Sequence, residues 1–115
     1  MSPAERLRKA AKLMRQRATA ATGGRWESLD NGDRLVALHG GSAWSYVVDE
    51  PISNAANAEH IASWDPPMAR AVADLLDDEA QRAERYQSHV VQDGAVNPWV
   101  MSIANAYLAG EVPGA

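Results

Sequence analysis

The chain has 115 residues, enough for one small domain with one compact core and too few for a large enclosed pocket. It contains no cysteine, which excludes disulfide scaffolds, thiolate zinc sites and cysteine nucleophiles and agrees with a reducing cytoplasm. The net charge of −4 is unevenly divided: residues 1–25 set Arg6, Arg8, Lys9, Lys12, Arg15, Arg17 and Arg25 against Glu5 alone, and the rest of the chain is strongly acidic.

The first predicted element is a helix over residues 3–22. Ser2-Pro3-Ala4-Glu5 reads as a capping box with proline at the first helical position. Leu7, Ala10, Ala11, Met14 and Ala18 follow at helical spacing, and Gly23-Gly24 supplies a stop. The stretch MSPAERLRKAA is charged and lacks the apolar core of a secretory signal. No apolar run approaches the roughly 20 residues that span a bilayer. The expectation is a cytoplasmic protein that does not enter a membrane.

Residues 25–49 predict a small sheet. Trp26–Leu29, Arg34–His39 and Ala43–Val48 read as three short strands. Asp30-Asn31-Gly32-Asp33 separates the first pair, with Asn31-Gly32 as a tight-hairpin signal, and His39-Gly40-Gly41-Ser42 turns the second. Trp44, Tyr46 and Val48 alternate onto one face; Leu35 and Ala37 share one face of the middle strand, Val36 and Leu38 the other. Asp49-Glu50-Pro51 ends the sheet.

The helical part, 53–110, follows. A short helix runs from Ser53 or Asn54 to Ser63. Asp65-Pro66 then restarts the chain as N-cap plus proline, opening a helix over 66–86 with Met68, Val72, Leu75, Leu76, Glu79, Ala83 and Tyr86 on its stripe. Asp77-Asp78-Glu79 reads as a solvated acidic face, with Arg82 as a partner four residues from Asp78. His89–Gly94 reads as a loop or frayed helix end. Asn97-Pro98 repeats the cap and starts a last helix with Val100, Ile103, Ala104, Tyr107 and Leu108 inward, ending at Gly110. The fold class expected is α+β: a single domain with a three-stranded antiparallel meander, preceded by one helix and followed by three packed on it. With no Phe, four Trp and three Tyr supply the bulk of any core, and a homo-oligomer, a dimer, that buries extra apolar surface is expected.

Few residues suggest chemistry. Asn54, Asn57 and His60 form a polar ridge beside Trp64, suited to a base or sugar: indole for stacking, amides and imidazole for hydrogen bonds. The same residues also read as a capped helix whose Ile61 and Trp64 anchor it to the sheet. His39, His60 and His89 show no i, i+4 pair and no HExxH, so no metal is expected. No GxSxG is present, and the Gly pairs are too short for a phosphate loop. No cofactor and no catalytic residue is assigned.

The segments LRKAAKLMRQRATAATGGRW, GDRLVA, NAANAEHIASWDPPMARAVADLL and ANAYLAGE resemble a group of small hypothetical proteins of actinobacteriophages and actinobacterial genomes, classed as a domain of unknown function. The shared pattern falls here on Trp26, on Asn57-Ala58-Glu59-His60-Ile61-Ala62 and on Pro66; the group's GPW is GRW, with Arg25 in place of proline. The resemblance covers most of the chain and carries no known activity. It implies a phage or prophage accessory protein acting inside a bacterial host cell.

The function expected is non-enzymatic binding of a host protein or a small anionic ligand. The candidate ligand residues are Trp26, Arg34, Trp44, Tyr46, Asn57, His60 and Trp64, with Arg34 meeting the anion. One alternative is nucleic-acid binding through Arg8, Lys12 and Arg15 on the basic helix; the acidic body and the lack of interleaved aromatics weigh against it. The other is a small enzyme on a nucleotide-like substrate, with His60 as general base.

Overall fold

Helix α1 (Pro3–Ala20) leads into strands β1 (Arg25–Leu29), β2 (Arg34–Leu38) and β3 (Trp44–Val48), then helices α2 (Ala55–Ser63), α3 (Pro66–His89) and α4 (Pro98–Leu108). The computed structural model describes residues 1–48, 50–52, 54–89 and 96–109, with side chains omitted for 86–89. The class is α+β, with one antiparallel meander in the order β1-β2-β3. The loop expected at 90–94, the helix end at Gly110 and the side chains of Tyr86 and His89 lie outside the described residues, as do Asp49 and Ser53. Among the described residues no helix is long and apolar enough to cross a membrane.

The chain divides into two compact units, Met1–Met14 with Ala71–Ala115, and Arg15–Arg70. The first unit is helical. Ser2 Oγ accepts the Glu5 N–H at 3.1 Å and caps α1. Leu7, Ala10, Ala11 and Met14 of α1, Ala73, Leu76 and Ala80 of α3, and Ala104 and Leu108 of α4 form one buried cluster. Alanines dominate it, and small side chains at a helix contact shorten the distance between axes. Asn97 caps α4, its side-chain oxygen accepting from Trp99 and Val100 N–H, with Pro98 in the first turn.

The buried stripe of α3 differs from the expected one. Met68 and Leu75 are exposed, Leu76 and Ala83 are buried as expected, and Ala69, Ala73 and Ala80 are buried with them. The 69-73-76-80-83 row has the same helical period and shares Leu76 and Ala83 with the expected one; close packing selects small side chains at its other positions. Glu79 sits beside this row and is buried at 8% exposure, not part of a solvated acidic face.

The second unit holds the sheet. β1 pairs with β2 in the register Trp26↔Ala37 and Ser28↔Leu35, and β2 with β3 as Val36↔Tyr46 and Leu38↔Trp44, with a bulge between Leu35 and Val36. The β1–β2 connection is the expected Asp30-Asn31-Gly32-Asp33. Leu29 pairs with Arg34, so four residues bridge the strands, and Asp30, Asn31 and Gly32 all take positive φ. Gly32 is buried at the end of this run: a Cβ there would stand 2.7 Å from the Ile52 carbonyl oxygen and 3.4 Å from Ala58 Cβ. The absence of that Cβ lets α2 lie against β1 and the turn. Asn54 caps α2, accepting from Ala56 and Asn57 N–H at 2.9 and 3.2 Å.

Candidate functional site

All seven residues expected to bind a ligand fall in the unit Arg15–Arg70. Strand alternation decides which of them meet. Residues opposite one another in a ladder share a face, so Trp26, Ser28, Leu35, Ala37 and Ser45 lie on one side of the sheet. Arg25, Glu27, Val36, Leu38, Trp44 and Tyr46 lie on the other. Trp26 therefore faces away from Trp44 and Tyr46.

Trp26 is a structural residue. Its indole is half-buried, and its Nε1–H donates to the Thr22 carbonyl at 2.8 Å. Its backbone N–H donates to Asp65 Oδ2 at 3.1 Å, while Asp65 Oδ1 accepts the Met68 N–H at 3.1 Å. Asp65 thus caps α3, as its place before Pro66 suggests, and in addition holds the outer edge of β1.

Trp44 and Tyr46 are brought together. Their ring centroids stand 5.0 Å apart with planes at 90°, an edge-to-face pair. They are 46% and 48% exposed, and Leu38, opposite Trp44, is 42% exposed. Val36 beneath Tyr46 is buried. The result is a small apolar face with Arg25 and Glu27 at its far side on β1, one charge of each sign.

Arg34 lies on the same side, since it alternates with Val36. Its guanidinium is already matched by a carboxylate: Nε and Nη2 reach Asp30 Oδ2 at 2.9 and 2.7 Å.

The α2 residues do not face inward. Ala58 and Ala62 are the buried positions of that helix, and Asn57 and His60 are exposed. His60 takes part through its carbonyl, which accepts the Ser63 hydroxyl at 2.6 Å. Trp64 ends the helix with its N–H bonded to the Ile61 carbonyl and its side chain partly exposed. Among the described residues no group of three His, Cys, Asp or Glu side chains is placed to hold a metal ion.

The basic helix α1 spends part of its charge within the first unit. Arg8 pairs with Glu84, and Arg6 Nε donates to Asn105 Oδ1 at 2.6 Å. Lys12 is exposed, and Arg15 is half-buried.

Glu79 stood both on the expected α3 stripe and in the acidic run, and the structure buries it. Arg82 donates to it twice, Nε to Oε1 at 2.8 Å and Nη2 to Oε2 at 2.6 Å, and the Asn97 N–H reaches Oε2 at 2.5 Å. Arg82 foremost, helped by the Asn97 N–H, holds the Glu79 carboxyl below its ordinary value against the opposing effect of burial. The i, i+3 spacing of Glu79 and Arg82 was the available signal. Comparison of the chain with protein-family models, with curated proteins and with solved structures finds no match.

Proposed function

We propose that this chain is a binding protein that engages a partner protein through the sheet face bearing Trp44 and Tyr46. The observation that carries this reading is the exposed edge-to-face pair, 5.0 Å between centroids, with Leu38 beside it. Trp and Tyr dominate binding energy at protein interfaces because each buries a large area with few rotatable bonds. Here each ring restricts the other, so less side-chain freedom is lost on docking. Arg25 and Glu27 supply a polar margin on the same face.

The resemblance to small actinobacteriophage proteins supplies the setting: a phage or prophage accessory factor inside a bacterial cell, with a host protein as partner. A small anionic ligand would use Arg34 on the same side of the sheet. The Asp30–Arg34 pair favours the protein partner over that ligand.

The test uses the full chain as bait in actinobacterial lysate, beside the Trp44→Ala and Tyr46→Ala variants. A protein captured by the wild type is then purified and titrated. Each substitution is expected to weaken binding by about 2 kcal/mol, roughly 30-fold. Equal affinity of all three for that partner places the interface elsewhere. A small molecule retained by the wild type in native mass spectrometry, and by neither variant, favours the ligand reading.

A further inference from the structure

We infer that β3 pairs edge to edge with β3 of a second copy, so that the aromatic face is assembled from two chains. The use of that doubled face rests on the function proposed above; the pairing rests on the strand alone.

The sheet has two edges, and they are treated differently. β1 has α2 alongside it, and its Trp26 N–H is taken by Asp65. β3 is the opposite edge, paired among the described residues with β2. The parity of its hydrogen bonds follows from the hairpin. His39 N–H donates to the Ala43 carbonyl at 3.0 Å, so alternation turns Ser45 towards Ala37, and the N–H and C=O of Trp44 and Tyr46 outward. Two successive outward positions form a template for another strand.

Natural edge strands are blocked by charge, proline or bulges. Trp44-Ser45-Tyr46-Val47-Val48 has neither charge nor proline. The bulge falls beyond the Val36↔Tyr46 pair and leaves Trp44–Tyr46 regular. The occupant is argued from charge. The chain carries −4 overall, yet residues 35–48 hold no Asp, Glu, Lys or Arg. Two identical copies meet there without like charges opposed. The regular part of the strand can meet its own copy: about a two-fold axis through Tyr46, the outward N–H and C=O of Tyr46 face those of Tyr46 of the second copy.

Residues opposite in a ladder share a face, so this pairing keeps both Trp44–Tyr46 pairs on one side of a six-stranded sheet. The doubled apolar surface is what a protein partner would meet.

The test is the sedimentation of the full chain over a range of concentrations, together with amide exchange. The wild type is expected at twice the 12.4 kDa chain mass, and the outward N–H of Tyr46 is expected to gain protection as concentration rises. Tyr46→Pro removes that donor and no bond to β2, a change edge strands accept. Tyr46→Lys places two like charges on the axis. Each is expected to weaken dimerisation at least about tenfold with the circular dichroism unchanged. A wild-type monomer at every concentration, or a dimer untouched by Tyr46→Lys, overturns the inference; the lysine variant decides if the proline variant does not fold. A monomer that still binds a partner through Trp44 overturns the pairing alone. A β3-paired dimer that binds its partner elsewhere overturns only the functional reading.

Discussion

Asp65 ties Trp26 to the start of α3, with one carboxylate oxygen for each element. Oδ2 accepts the Trp26 N–H and Oδ1 the Met68 N–H, both at 3.1 Å, and the residue is buried. Asp65→Ala removes a helix cap and a strand anchor together and is expected to lower unfolding free energy by about 2–4 kcal/mol. Asp65→Asn keeps an acceptor for the cap but turns an NH₂ group towards the Trp26 N–H, so an intermediate loss is expected. Urea denaturation reads both. A loss under about 0.5 kcal/mol for Asp65→Ala would falsify the bridge.

Glu79 links stability to pH. Its carboxyl is held below the ordinary 4.5, first by the hydrogen bonds from Arg82. A carboxyl whose folded pKa is depressed adds stability that is complete above its unfolded value and disappears as pH falls through the lowered folded value. The wild type is expected to lose stability from about pH 5 downward. Glu79→Gln is expected to be less stable at pH 7 by about 2 kcal/mol and to show a flatter acid limb. Denaturation at a series of pH values checks this; parallel profiles for the two proteins would rule out the linkage.

Two glycines separate backbone strain from steric clash. Gly32 and Gly40 have φ of +95° and +94°, but a Cβ at Gly32 meets the Ile52 carbonyl oxygen at 2.7 Å whereas Gly40 faces open space. Gly40→Ala is expected to cost about 1–2 kcal/mol, the conformational term alone. Gly32→Ala carries that term and displaces the segment at Ile52, so it is expected to cost clearly more. Thermal melts that show equal costs would contradict the close approach.

The aromatic residues divide into structure and surface. Trp26→Ala removes a half-buried ring and its bond to Thr22, and about 2–4 kcal/mol of stability is expected to go with it. Trp44→Ala and Tyr46→Ala break an exposed pair worth about 0.5–1.5 kcal/mol. The prediction is that binding falls while the melting temperature drops by a few degrees at most, less than for Trp26→Ala. A Trp44→Ala protein as unstable as Trp26→Ala would make the exposed face a core.

The basic helix is expected to show no steep salt-dependent binding to duplex DNA. Arg8 is paired with Glu84 and Arg6 with Asn105 inside the first unit. Fluorescence anisotropy at low and moderate salt decides this. A steep salt slope that disappears when Arg8, Lys12 and Arg15 become alanine would restore the nucleic-acid reading.

The order of the elements and most of their ends were legible in residue types alone. Ser2, Asn54 and Asp65 cap helices through bonds to N–H groups two or three residues on, and Asn97 does the same before Pro98. Such bonds need no distant partner, so local residue types suffice. The alternation of Trp44 and Tyr46 on one face was legible for the same reason. Which face stays exposed was not, because that depends on register and on what covers the sheet. Tertiary structure alone set Trp26 on the sheet face away from Trp44, gave Arg34 a carboxylate from its own turn, and buried Glu79 among Arg82 and the Asn97 N–H. It also buried Ala69, Ala73 and Ala80 of α3 in place of Met68 and Leu75. Helical period marks every apolar row alike, and only the distance to the neighbouring helix selects the small one.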